Sequence, residues 1–387
     1  MKLIKCLIFI LMLLNSNSAF AFKIIEPDIH ESMTRASKAC LDQFVDKETP
    51  PENCSLDITN NEDINISWMH DSSLAIYDIP GWIMRALDYT TDYPTLEDAV
   101  RWPDDPTKEL SAGAFKFGSK LLTDTCEGYR NPITKQIDLN AGLICVSHYG
   151  DLQFLHAQAS SEGELASDTY EKIIDWASFL YLVASKQLSD EDLEQEYCSY
   201  FSKDTKFHKA MLPSNSSVPC TSKKGTWRVA TLFNLTCSSP KPSAWGCNEW
   251  IGDKNYEKAR IMATGALLHL IQDSFSQSHV ERGTCEINDK KVVAKVECLP
   301  LTKFTTYKGQ ENHGDADLMP IFKNSCNSSG SIDNPILAGA KALWYIKNEK
   351  PTKKFKQDVL YRIFGTPEYI KQHGMSAERG QCFENKL

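Results

Sequence analysis

Apolar residues recur at three- and four-residue spacing over several long stretches of this chain, and that period predicts helices. From Asp168 to Leu188 the residues Tyr170, Ile173, Ile174, Trp176, Ala177, Leu180, Val183 and Ala184 fall on one stripe. A second helix is expected from Tyr256 to Phe275. Its apolar residues Ile261, Met262, Ala263, Leu267, Leu268, Leu270 and Ile271 leave little polar face, so it is expected to be buried. Pro335 to Asn348 and Lys353 to Phe364 carry the same period. Strict alternation is scarce. Lys291-Val-Val-Ala-Lys-Val296 is a short candidate hairpin arm between Cys285 and Cys298. The expected class is all-α, with long loops. Ser202 to Trp250, rich in Ser, Pro, Lys and Cys, reads as one of those loops. No Pro/Gly/Ser linker and no repeat interrupts the chain, so residues 22–387 are expected to form a single domain.

The first residues change the compartment. Lys2 and Lys5 precede an apolar run to Leu14, and Ala19-Phe-Ala21 supplies a small-x-small cleavage site. Residues 1–21 therefore read as a secretory signal peptide, and the mature chain is expected to begin at Phe22 and to be secreted. Export fits the cysteines. Of 13, Cys6 leaves with the signal, and the others fall into near neighbours: Cys40/Cys54, Cys126/Cys145, Cys198/Cys220, Cys237/Cys247, Cys285/Cys298, with Cys326/Cys382 left over. In an exported chain these read as local disulfides tying loops. Tight C-x₂-C spacing, which cysteine-ligated zinc needs, is absent. Cleavage removes Lys2 and Lys5 but no acid, so the net charge moves from −9 to −11. That balance disfavours a polyanion partner, whose binding draws on clustered Lys and Arg.

The chemistry is concentrated in Ala263-Thr-Gly-Ala-Leu-Leu-His-Leu-Ile-Gln-Asp-Ser-Phe-Ser-Gln-Ser-His279. His269 and Asp273 are four apart and share a helix face. An imidazole and a carboxylate at that spacing suit one zinc ion, though the two could equally pair with each other in the core. His279 lies too far round a regular helix to share the face, and the polar stretch Ser274–Ser278 offers a bend. His313 and Asp317 repeat the four-residue spacing in Asn312-His-Gly-Asp-Ala-Asp317. Arg101-Trp-Pro-Asp-Asp105 places two carboxylates after a Trp-Pro corner, Ser147-His-Tyr-Gly-Asp151 follows Cys145, and His30 stands eight residues after Phe22.

Taken in order, these residues resemble the zinc-dependent phospholipase C family and its relatives, the single-strand-specific zinc nucleases. The shared pattern is an N-terminal aromatic residue, a nearby histidine, W-x-D, a later histidine, H-x₃-D-x₅-H and H-x₃-[DE]. Here it is carried by Phe22, His30, Trp102-Pro-Asp104, His148, the His269/Asp273/His279 run and the His313/Asp317 pair, nearly the whole mature chain. The resemblance implies an all-α fold holding three zincs. Asp104, His148, His269 and Asp273 would hold the first, and His279, His313 and Asp317 the second. The amino nitrogen and carbonyl oxygen of Phe22, with His30 and a shared Asp273, would hold the third. The chain departs from the pattern in having Phe for the usual Trp at position 22 and Gln277-Ser278 where a Pro is common. Long intervals, read as disulfide-bound insertions, separate Asp104 from His148 and His279 from His313. Asp105 is therefore an alternative to Asp104, His156 or Asp151 to His148, and Glu281 or Glu297 to Asp317.

The implied function is a secreted, monomeric phospholipase C that meets a phospholipid membrane surface and releases diacylglycerol and a phosphorylated head group, with Asp104 as general base. Glu26, Tyr149 and Phe154 are candidates for a choline pocket. A single-strand-specific nuclease and a secreted binding protein with structural zinc are the competing expectations.

Overall fold

The structure, a computed structural model, describes residues 29–44, 47–53, 63–64, 96–104, 126–133, 137, 143–212, 228–234, 256–288, 291–296, 298–307, 321–323 and 332–380. The expected signal segment 1–21, together with Phe22, Glu26, Asp105, Glu297, His313 and Asp317, lies outside these residues.

The described part is mostly helical, with little sheet. Its longer helices and those that carry the site are α1 (Ile29–Asp42), α2 (Leu96–Arg101), α3 (Leu143–His148), α4 (Ala166–Ala184), α5 (Tyr256–Asp273) and α6 (Pro335–Lys347). The periodic stretches land within a few residues of their expected ends. The stretch from Lys353 to Phe364 differs: a π-helical turn at Lys356–Leu360 separates Thr352–Phe355 from Tyr361–Phe364. The stretch 202–250 is also less irregular than its composition suggests, since it includes a helix at Lys206–Met211 and a 3₁₀ turn at Val229–Asn234.

α5 is the central element. From Ala266 to Asp273 every residue is buried, as a helix apolar nearly all round requires. α2 crosses it closely, α4 packs on it, and α1 lies against α2 and α6. The stripe of α4, Ile173, Trp176, Ala177 and Leu180, is buried in the same core as Ala263, Leu267 and Leu270 of α5. α6 starts with an N-cap: Asn334 Oδ1 accepts from the amides of Ile336 and Leu337 at 3.1 and 2.9 Å, ahead of Pro335.

The expected hairpin arm at 291–296 forms β4, paired antiparallel with β3 (Gly283–Asn288). β6 (Ile321–Lys323) and β1 (Asp63–Ile64) extend it into a four-stranded sheet of order β1-β6-β4-β3. A smaller ladder matters more for the site. β2 (Val280–Glu281), which follows His279 directly, pairs with β5 (Lys303–Phe304), and the Thr305 amide donates to the His279 carbonyl at 2.8 Å. Cys126 and Cys145 form a disulfide that ties the start of α3 to residue 126. Cys40, Cys198 and Cys298 also stand in disulfides.

Candidate metal centre

Helix α5 ends at Asp273, and its last two turns aim His269 and Asp273 at the same point, with Nε2 and Oδ2 2.9 Å apart. The two do pair, but they are not alone. α1 brings His30, the turn after α2 brings Asp104, α3 ends on His148, and a 3₁₀ turn (Gln153–His156) ends on His156. The chain leaves α5 through tight turns at 274–279 that carry His279 back beside Asp273, Nδ1 to Oδ2 3.6 Å. All seven residues are 1 % exposed or less.

His148 and His156 meet because the chain reverses after α3. The Leu152 amide donates to the Val146 carbonyl at 3.0 Å, and a Cβ at Gly150 would stand 2.9 Å from the Val146 backbone, so only glycine allows the reversal. The two rings end with centroids 4.5 Å apart.

Four imidazole nitrogens surround the Asp104 carboxylate. His148 Nε2 and His156 Nδ1 lie 3.5 Å from Oδ1, His269 Nε2 lies 3.7 Å from Oδ1, and His30 Nε2 lies 3.6 Å from Oδ2. His30 Nε2 is also 3.4 Å from Asp273 Oδ1. These separations are long for hydrogen bonds. Two ligands of a tetrahedral zinc, each about 2.0–2.1 Å from the ion, sit roughly 3.3 Å from one another. The spacing is therefore that of atoms sharing a cation. Both Asp104 oxygens and Asp273 Oδ1 are buried and, among the described residues, accept no hydrogen bond. Buried carboxylate oxygens without a partner are costly, and a cation among them removes that cost. Three overlapping trios have the reach to hold an ion: His30/Asp104/His269, Asp104/His148/His156 and His156/His269/Asp273.

The outer ring nitrogens are held as metal-binding histidines require. His269 Nδ1 donates to the Val100 carbonyl at 2.8 Å, and His30 Nδ1 to Gln272 Oε1 at 2.6 Å. His148 Nδ1 pairs with Ser147 Oγ at 3.0 Å, and His279 Nδ1 donates to the His156 carbonyl. With Nδ1 so engaged, His30, His148 and His269 turn Nε2 toward the carboxylates. Gln272 Nε2 donates in turn to Thr34 Oγ1 at 3.0 Å, and Arg101 Nε meets Glu31 Oε1 at 3.0 Å, so neighbours of the ligands join α1 to α5 and α2.

Electrostatics divides the two carboxylates. Burial pushes Asp104 up to about 7, against the opposing pull of His269 and His30. Asp273 is also penalised by burial, but His269 and His279 and its hydrogen bonds from His156 and His269 hold it well below the usual carboxylate range. Burial works against a charged His30 as well, yet Asp273 and Asp104 raise it to about 9. Burial and neighbouring His148 push His156 well below the ordinary imidazole value, leaving it neutral. Like charges sharing a site produce this splitting, and the cluster gathers positive charge wherever it can.

Of the sequence-expected site residues, His30, Asp104, His148, His269, Asp273 and His279 come together. Phe22, His313 and Asp317 lie outside the described residues. His156, an alternative to His148, joins the cluster beside it rather than replacing it. Asp151 stays outside it, and Glu281 faces Lys303 Nζ at 3.5 Å. Phe154 is a correction: it is wholly buried in the core, packed edge-on against Phe207 at 6.0 Å, and offers no face to a head group. Tyr149 fares better. It meets Tyr307 edge-to-face at 5.1 Å, and both rings adjoin His148, at 6.5 and 5.4 Å. Tyr307 had no motif to mark it. No protein-family profile, curated protein or solved structure matches the chain.

Proposed function

We propose that this chain is an exported zinc-dependent phosphoric diester hydrolase, a phospholipase C that acts on glycerophospholipids, with phosphatidylcholine the first substrate to consider. The observation that carries the reading is the buried ring of imidazole nitrogens around Asp104 at the separation of ligands on a shared ion. Zinc suits the donors, which are histidines and aspartates without cysteine, the mix of open catalytic sites rather than closed structural ones. Asp104, His148, His269 and Asp273 would hold one ion. His279 would hold a second with His313 and Asp317, and His30 a third with Asp273 and the backbone of Phe22.

When bound, zinc supplies Lewis acidity toward a phosphoryl oxygen and makes water a stronger acid. The chain's own residues do the rest. Asp104, beside the ion it would help to hold, would take a proton from the attacking water. Asp273 stays ionised and holds positive charge in place. The water oxygen attacks phosphorus, the bond from phosphorus to the glycerol oxygen breaks, and that oxygen takes up a proton. The products are diacylglycerol and the phosphorylated head group. Tyr149 and Tyr307, whose rings lie beside His148, would present aromatic faces to a quaternary ammonium. The net charge of −9 favours this substrate over a nucleic acid, which wants a basic groove.

Phosphorus NMR of phosphatidylcholine vesicles incubated with the mature protein tests the reading. Phosphocholine is expected, and only in the absence of a zinc chelator. Zinc-loaded protein that releases no phosphocholine but cleaves single-stranded DNA would overturn the lipid reading in favour of the nuclease.

A further inference from the structure

We infer that His156 is itself a metal ligand through Nδ1, so that the centre carries one imidazole more than the three-zinc pattern provides. The inference rests on the metal-centre reading of the proposed function and extends it to a residue the pattern does not assign.

The geometry is a triangle. His156 Nδ1, His269 Nε2 and Asp273 Oδ2 are separated by 2.9, 2.9 and 3.0 Å, so each touches the other two. A fourth atom, Asp104 Oδ1, lies 3.5 Å from His156 Nδ1. Protons do not satisfy this arrangement. His269 gives its Nδ1 proton to the Val100 carbonyl, so in a neutral ring its Nε2 offers a lone pair. A carboxylate oxygen accepts and does not donate. A proton on each nitrogen would serve the two edges to Oδ2 but would set N–H against N–H across the 2.9 Å edge between the rings. Removing either proton leaves one edge to Oδ2 with lone pair against lone pair. A cation bound by all three atoms removes the conflict.

The orientation of His156 is the reverse of its neighbours'. His30, His148 and His269 each engage Nδ1 with an outer partner. His156 turns Nδ1 inward, and its buried Nε2 has no hydrogen-bond partner among the described residues. Its ring is packed among three other imidazoles, with centroids 4.5 Å from His148, 5.0 Å from His269 and 6.2 Å from His279. Its backbone also has a part, because its carbonyl accepts the His279 Nδ1 proton. One residue thus supplies a ligand atom to two of the three trios and fixes the ring of the next histidine.

The competing role is a buried hydrogen-bond donor to Asp273, and His156→Asn separates the two. The asparagine amide nitrogen occupies about the place of Nδ1 and can still donate to Asp273, but a carboxamide is a poor zinc ligand. Wild type and H156N would be loaded with zinc, desalted and counted by mass spectrometry of the metal, with circular dichroism to check folding. The expected result is a folded variant that holds about one zinc fewer per chain, with a changed visible spectrum when cobalt replaces zinc. A variant with the wild-type zinc count and an unchanged cobalt spectrum would overturn the inference and leave the metal centre standing. A wild type that binds no zinc would overturn the metal-centre reading itself. If H156N does not fold, anomalous diffraction at the zinc edge from wild-type crystals decides: an ion within about 2.1 Å of His156 Nδ1 supports the assignment, and ions bonded only elsewhere overturn it.

Discussion

At the scale of single residues, the cluster is built to hold positive charge, and in the metal-free protein it does so with protons. His30 is raised to about 9 and Asp104 to about 7, so near neutral pH His30 is protonated and Asp104 is partly so. Metal requires both to be deprotonated. Zinc binding is therefore expected to release protons, between one and two from this pair near pH 7. The sign follows from the raised values: affinity should climb with pH as Asp104 and then His30 lose their protons, and should level off above about pH 9. Isothermal titration calorimetry in buffers of different ionisation enthalpy counts the protons. Binding heats independent of buffer would show that neither group carries a proton to displace. Which histidines belong here was only partly legible in the sequence. His269 and Asp273 announce themselves by four-residue spacing on an apolar helix. His156 does not, because the reversal at Gly150 and a single 3₁₀ turn place it, and no periodic pattern records such a turn. The partners that orient the rings were harder still. Val100 and His156 act through backbone carbonyls, which every residue owns.

At the scale of elements, the site depends on how closely α2 approaches α5. Gly265 lies one turn before His269, and a Cβ built on it would stand 2.2 Å from the carbonyl carbon of Ala99 and 2.4 Å from its Cβ. The missing side chain lets α2 lie directly on α5, so that Val100 reaches the His269 ring and Asp104 follows within one turn. Gly265→Ala should force the helices apart, with an overpacking cost of about 1–3 kcal/mol. Thermal or urea unfolding of the metal-free protein measures that cost, and zinc affinity should fall with it because Asp104 moves relative to His269. An alanine variant with unchanged stability and zinc content would mean that this approach does not set the ligand geometry. The helices themselves were readable, since α4, α5 and α6 carry a sustained apolar period. The short helices α2 and α3 were not, because six residues are too few for a period to declare itself. The small sheet was legible only in its hairpin. β6 and β1 join that hairpin across large sequence separations, through backbone pairing that two- and three-residue strands scarcely encode.

At the scale of the whole molecule, the turn that carries His279 is fastened to two distant parts of the chain by one buried side chain. Arg282 Nε donates to the Ser274 carbonyl at 2.6 Å and Nη1 to the Leu299 carbonyl at 2.7 Å, while Nη2 donates to the Ile363 carbonyl. Its guanidinium also sits 5.0 Å from the centre of the Phe275 ring. Burial lowers its pKa to about 9, which still leaves it charged at neutral pH. The guanidinium fork spreads its donors in a plane and so serves three carbonyls that lie apart, whereas a lysine ammonium is a compact point. Arg282→Lys keeps the charge and the stem yet strands at least one buried carbonyl, at about 1–3 kcal/mol for each group left unsatisfied. The expected outcome is a loss of about 3 kcal/mol in urea unfolding, with zinc lost from the His279 side of the centre before the Asp104 side. The physical reason for that order is that His279 stands three residues from Arg282, on the turn whose Ser274 carbonyl the arginine holds, while His30, Asp104 and His148 are anchored by α1, α2 and α3. A lysine variant within about 0.5 kcal/mol of wild type, with its full metal content, would show that packing and the β2–β5 ladder hold the turn without the arginine.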